Sequence, residues 1–391
     1  MREILQSFQL PYSYPVSFTR GAFDPGNDAL ARAFARAGTG PHRVLPILDA
    51  EVARTNPGVI GRLGGFADVC DPAIELVSQP LIVSGGEASK SDGHVVQQVH
   101  ELVEHHGLCR HSFVLAIGGG SMLDAVGYAA ATAHRGVRLL RMPTTVLAQN
   151  DAGIGVKNAI NFRNRKNFLG TFAPPFAVVN DLDFLETLPA RELRSGTVEA
   201  VKVALIKDQK FFDVLYEQRA QLATFEPAAM ESMIVRCAEL HLEHIRTSGD
   251  PFELGSARPL DFGHWAAHKL EELSAHAVRH GEAVAIGIAL DALYSHRMGM
   301  LDAVGLDRIL TLLADLGLER SHPLLDTLDV ARALQDFREH LGGELSVTVL
   351  EGIGRGVEVH EIDLAAMRAC VEELHAYVDG ARASMVEGAS S

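Results

Sequence analysis

The second half of the chain carries the residues best suited to bind a metal. Glu199-x-x-Lys202 sets a carboxylate and an ammonium on one face of a helix, and His264-x-x-x-His268 sets two imidazoles on one face of another. A third imidazole, His280, opens the run HGEAVAIGIAL. One Glu with two His is a frequent three-ligand set for a catalytic divalent metal that keeps one position open. Spacing alone favours His264 and His268 as the imidazole pair.

The first half carries residues suited to anions and hydroxyls. In FVLAIGGGSMLD, a strand runs through Gly118, Gly119 and Gly120 into a helix containing Ser121 and Asp124. Glycines there let the backbone approach a pyrophosphate, whose charge meets the free amides of the helix start. The spacing differs from the usual GxGxxG. A second glycine turn, Ser84 to Lys90, brings Glu87 and Lys90, and Asp49 ends an earlier strand where a carboxylate could bind ribose hydroxyls. The segment from Arg135 to Asn167 is the richest: Thr144, Thr145, Asp151, Lys157, Lys166 and Asn167 lie among glycines and amides. Lysine serves phosphate as a point charge, and Asp and Asn serve hydroxyls, so this suits a polyhydroxylated anion.

These residues need a scaffold of two kinds. Short apolar runs at 44–48, 81–84, 113–117, 137–141 and 176–179 alternate with helical stretches, as buried parallel strands do. From Leu188 onward the stretches are long and amphipathic, except 346–359, where SVTVL and GVEV flank GIGR as a β-hairpin. The fold class expected is therefore α/β: a doubly wound domain over 1–181 and a mainly α-helical domain over 182–391, with the active site at their junction. The length of 391 residues exceeds what one core usually serves. A net charge of -15 has the wrong sign for nucleic acid or an anionic membrane, so any anionic substrate needs a local basic pocket. Four scattered cysteines without CxxC spacing, no apolar leader and no apolar run near the length of a span make a cytoplasmic protein the expectation.

In order and spacing, GGGSMLD, RGVRLLRMPTTVLAQNDAGIGVKNAIN, RKNFLGTFAPP, EAVKVALIKD, DFGHWAAH and RHGEAVAIG resemble the sugar-phosphate cyclase superfamily, whose best-known member is 3-dehydroquinate synthase. The resemblance implies an NAD- and divalent-metal-dependent (Zn2+ or Co2+) homodimer acting on a sugar phosphate. It implies Glu199, His264 and His280 as metal ligands, which moves His268 to the substrate. Asp49, Glu87, Lys90, Gly118, Gly119, Gly120, Asp124, Thr144 and Thr145 would hold NAD, with Lys166 near the nicotinamide. Asp151, Lys157, Lys202 and His268 would act on the substrate, Asn167 would bind it, and Arg135 would reach the neighbouring subunit's phosphate site. In that family NAD oxidises a ring hydroxyl, the new ketone acidifies a neighbouring C-H, and phosphate leaves by β-elimination. Hydride then returns and an intramolecular aldol step closes the carbocycle.

Departures from the pattern bear on the substrate. The position taken for a family lysine is Glu243, an expected arginine is Ala257 with Arg258 beside it, and an expected asparagine is Asp261. Arg338 and His340 stand nearest to a late phosphate-binding lysine, which makes His340 and Asp261 substrate-contact candidates. Losing positive charge disfavours a substrate with both carboxylate and phosphate. The expectation is sedoheptulose 7-phosphate, cyclised to a valiolone-type C7 cyclitol. The rivals are 3-dehydroquinate synthase, an iron-type alcohol or glycerol dehydrogenase, and a non-catalytic NAD- and metal-binding paralogue. The dehydrogenases resemble Asp-x-x-x-His where this chain has Glu199 and Val203.

Overall fold

The computed structural model describes residues 2–388 apart from 71, 92, 164, 249–250, 253–259, 276 and 341–344, with side chains at 340 and 377–388 outside the description. The chain divides into two compact units: Met1–Thr144 with Ala152–Thr187, and Thr145–Asp151 with Leu188–Ser391.

The strands in chain order are β1 (Val16–Thr19), β2 (His42–Asp49), β3 (Ile74–Leu76), β4 (Leu81–Val83), β5 (Phe113–Gly118), β6 (Arg138–Pro143), β7 (Lys157–Phe162), β8 (Arg165–Phe172), β9 (Ala177–Asp181), β10 (Val347–Leu350) and β11 (Gly356–Val359). In the first unit a sheet of order β1-β9-β6-β5-β2-β3 is parallel throughout. Strand β4 also pairs with β2, so β3 and β4 take successive stretches of one edge, opposite His42–Val44 and Ile47–Asp49. Every residue of β5 is buried, as continuous apolar runs require of a sheet covered on both faces. The doubly wound expectation holds. The sheet's C-terminal edge gathers Asp49, Val83, Gly118 and Pro143, the edge at which such folds bind ligands. The antiparallel hairpin β7-β8 stands off this sheet.

The second unit is mainly helical, with the β10-β11 hairpin where the sequence placed one. Glycine sets its close packing. A Cβ on Gly281 would lie 2.1 Å from Ser195 O, which seats the start of the helix His280–Arg297 on the helix Ala190–Lys207. A Cβ on Gly196 would lie 2.4 Å from Val146, and Asn150 Nδ2 donates to Gly196 O at 3.1 Å. The segment 145–151 is thereby laid across the same helix, which explains its membership of this unit. Among the described residues, no helix is long and apolar enough to cross a membrane.

Candidate functional site

Glu199, His264 and His280 converge in the second unit, with one potential ligand atom from each lying within 4.8 Å of the others. Glu199 comes from the middle of the helix Ala190–Lys207, His264 opens the helix His264–Leu273, and His280 opens the next. His264 Nδ1 faces the Phe262 carbonyl at 3.1 Å and His280 Nδ1 faces Glu271 Oε2 at 3.1 Å. Both acceptors only accept, so each Nδ1 carries a proton, which leaves Nε2 as the nitrogen available to a metal. His280 Nε2 stands 3.7 Å from Glu199 Oε1. Both Glu199 oxygens are buried and receive no hydrogen bond of regular geometry, although the Lys202 ammonium is in ion-pair contact with one of them. A buried carboxylate left so is costly unless a cation completes it. Burial first, then Lys202, His280 and His268, push His264 well below the ordinary imidazole value, so it stays neutral. A neutral imidazole at His264, a second imidazole at His280 and an incomplete carboxylate fit a divalent metal. The structure thus brings His280, not His268, to Glu199 and His264. His268 is exposed, its ring 5.6 Å from that of His264 and 6.2 Å from Phe337.

Around this set lie Asp151 and Lys202, together with His241, which the sequence did not single out. Asp151 ends the segment 145–151, whose turn is fixed by Ala148 N donating to Thr145 Oγ1 at 3.2 Å. Thr145, expected as a nucleotide contact, also caps this turn. Asp151 Oδ1 lies 3.0 Å from His241 Nδ1. His241 sits one turn after the buried Cys237, on the inward face of the helix Pro227–Thr247. Burial opposes the charge of Lys202, but Glu199, Asp151 and Asp261 outweigh it and raise its pKa above the usual lysine value. Against burial, Lys202, His280 and His241 hold the Glu199 carboxyl below its usual range.

Glu243 requires a correction. Its side chain is 55% exposed and accepts from Arg246 on the outer face, so it adds no charge to this cluster. Ala257 and Arg258 lie outside the described residues, as does the side chain of His340, the last residue of the helix Val330–His340. Arg338 is exposed on that helix.

In the first unit the nucleotide candidates form a closed circuit. Ser121 Oγ donates to Glu87 Oε2 at 3.3 Å, and Asn161 Nδ2 to Glu87 Oε1 at 2.7 Å. Asn167 N donates to Asn161 Oδ1 at 2.9 Å, and Lys90 Nζ to Asn167 Oδ1 at 2.8 Å. Lys90 closes the ring on Asp124 at 2.5 Å, one helical turn from Ser121. Burial would raise the Glu87 pKa, but Asn161, Lys166, Lys90 and Ser121 hold it below the usual value. Gly119 precedes the helix Gly120–Thr132 without a side-chain cap, leaving its first amides suited to phosphate. Asp49 is itself a cap, accepting from Glu51 N at 2.8 Å, and a Cβ on Gly85 would strike its carboxylate at 2.2 Å. Thr144 is buried, its N-H donating to Gly118 O at 3.0 Å. Lys157 and Lys166 are exposed on β7 and β8, and Arg135 is exposed in the turn Ala133–Arg135. Arg141, fully buried, donates to the carbonyls of Gly153, Gly155 and Lys157 and to Asn158 Oδ1, so it shapes the loop leading to Lys157.

A parallel nucleotide-type sheet with a glycine-led helix, and a helical unit with a Glu-His-His set, define a class of two-unit nucleotide- and metal-binding proteins. Residues 80–195 match the family model 3-dehydroquinate synthase N-terminal, and residues 196–339 match 3-dehydroquinate synthase C-terminal. The 2-epi-5-epi-valiolone synthase of Streptomyces glaucescens is 34% identical over 368 residues, 92% of this chain and 91% of that protein. The 3-dehydroquinate synthase of Xanthomonas campestris pv. campestris (strain 8004) is 34% identical over 351 residues, 88% and 92% of the two chains. ValA, a 2-epi-5-epi-valiolone synthase from Streptomyces hygroscopicus subsp. jinggangensis 5008 solved with NAD+ and Zn2+ bound, superposes with a TM-score of 0.84 at 31% identity, covering 96% of this chain and 100% of that one. The chain belongs to the 3-dehydroquinate synthase-like sugar-phosphate cyclases.

Proposed function

We propose that the chain is an NAD- and divalent-metal-dependent cyclase that converts sedoheptulose 7-phosphate, with loss of phosphate, into a valiolone-type C7 cyclitol. The carrying observation is the charge around the metal set. Among the described residues that interact there, Asp151, Glu199, Asp261 and Glu271 are acids, and the one permanent cation, Lys202, is already paired with Glu199. Such surroundings suit a metal and hydroxyl groups and, among the described residues, offer a substrate carboxylate no second permanent cation. Similarity to two valiolone synthases agrees with this.

When bound, NAD supplies a reversible hydride acceptor and the metal supplies Lewis acidity. Glu199, His264 and His280 would hold the metal, and the 118–120 turn with Glu87, Lys90, Asp124 and Thr144 the NAD. Asp151 and Lys202 would orient hydroxyls, with His241 fixing the Asp151 carboxylate. His268, Lys157 and Asn167 would meet the substrate, Lys157 as the point charge for phosphate. The same reading makes the chain a homodimer with Arg135 facing its partner, which light scattering and Arg135→Ala test.

Phosphate release is the decisive assay, run with NAD, Zn2+ or Co2+ and C6, C7 and C8 sugar phosphates. Turnover of the C7 heptulosonate and not of sedoheptulose 7-phosphate sinks the proposal and favours 3-dehydroquinate synthase, a reading supported by equal 34% identity to that enzyme. Lys157→Ala is expected to abolish release while leaving folding and NAD binding intact. A dehydrogenase reading has less support, since Val203 is a buried apolar side chain.

A further inference from the structure

We propose that Glu271, outside the ligand set, is the residue that prepares His280 for metal, holding its ring and tautomer through the 3.1 Å bond from Nδ1 to Oε2. The inference rests on the metal reading above. His264, His268 and Glu271 follow the i, i+4, i+7 stripe of the helix His264–Leu273, so one face supplies both a ligand and the support for the ligand that opens the next helix. Glu271 is 5% exposed and engages His280, while its neighbour Glu272 is 68% exposed and paired with Lys269. Adjacent acids on one helix have therefore been given different tasks.

The two histidines are fixed by different means. His264 uses the backbone carbonyl of Phe262, which no substitution removes, whereas His280 depends on a side chain. Without an acceptor at Nδ1, the neutral imidazole is free to carry its proton on Nε2, the nitrogen aimed at Glu199 Oε1, and that nitrogen then has no lone pair to offer. A carboxylate at Nδ1 excludes that tautomer and makes Nε2 a stronger donor. Glu271 is thus a positioning residue.

The test is metal affinity of the full chain, read by Co2+ titration through its visible absorption and by Zn2+ competition. Glu271→Ala is expected to bind about 10- to 100-fold more weakly. Glu271→Gln, which keeps shape and one acceptor, should fall between it and the wild type. Glu272→Gln should match the wild type, and NAD affinity should be unchanged in all three. If the alanine variant does not fold, the glutamine variant carries the test. Affinity within twofold of wild type for the Glu271 variants that fold overturns the inference, as does a lower Tm with metal affinity unchanged. A wild-type chain that takes up no cation overturns the metal reading and this inference together.

Discussion

In the first unit the polar and charged groups of the nucleotide end close on one another: Ser121, Glu87, Asn161, Asn167, Lys90 and Asp124 form one circuit. In the second unit Glu199 keeps two buried oxygens outside any regular hydrogen bond, beside imidazoles whose Nδ1 atoms are already engaged. A closed circuit is stable by itself, and a ligand that needs Glu87 or Lys90 must open it. An open set can take a cation without first breaking a bond of its own. Metal at a hundred times its dissociation constant should therefore stabilise the chain by about 2.7 kcal/mol.

The largest effect should come from breaking the open side. Glu199→Ala removes a ligand and leaves Lys202 buried with Asp151 and Asp261 as its remaining counter-charges. Metal binding should disappear and stability fall by about 3 to 5 kcal/mol, read by urea unfolding. Metal loss with unchanged stability would show that Asp151 and Asp261 suffice for Lys202.

Next comes the carboxylate that holds the turn before His264. Asp291 accepts from Gly263 N at 3.0 Å and Trp265 Nε1 at 2.8 Å, and burial pushes its pKa up to about 7 despite both bonds. A folded pKa above the unfolded one favours the folded chain when the group is protonated. Its contribution is fully present below about pH 4, falls as pH rises towards 7, and is gone above that, a change of up to about 4 kcal/mol. Asp291→Asn should erase this part of the pH dependence, so its stability relative to wild type should improve from pH 5 to pH 8. Parallel wild-type and variant curves would refute it.

Opening the closed side should cost less. Asn161→Ala removes the link between Glu87 and the Asn167 backbone and should cost about 1 kcal/mol. Calorimetry should show a change in NAD affinity of about fivefold, with metal affinity untouched. A change in metal affinity instead would mean that the two regions do not act separately.

The same contrast shows what the sequence could disclose. Strands β2, β5, β6 and β9 were legible because burial on both faces leaves continuous apolar runs. Strand β1 is four half-buried residues and β3 is three, too short for any period. Asp124, Glu87 and Lys90 stood out through glycine turns, but Asn161 did not, because a hairpin asparagine carries no local signal of a partner 74 residues away. In the second unit, helical spacing suggested His264 with His268. The partner was His280, brought in by the packing of a separate helix on Ser195. The i+7 relation of Glu271 to His264 was readable, but only the fold shows what it supports.

Glu243 and His241 give the finest test. Two residues along a helix turn the side chain by about 200°, so a shift of two positions exchanges the inward face for the outward one. His241 faces Asp151, and Glu243 faces Arg246 and water. His241→Lys puts a permanent cation beside Asp151 and should shift preference towards a substrate bearing an additional carboxylate by about tenfold in kcat/KM, or about 1.4 kcal/mol. Glu243→Lys, the same gain of charge on the opposite face, should change stability by less than about 0.5 kcal/mol and leave that preference unaltered. A preference that followed position 243 instead would reverse the assignment of the helix face and return Glu243 to the substrate argument.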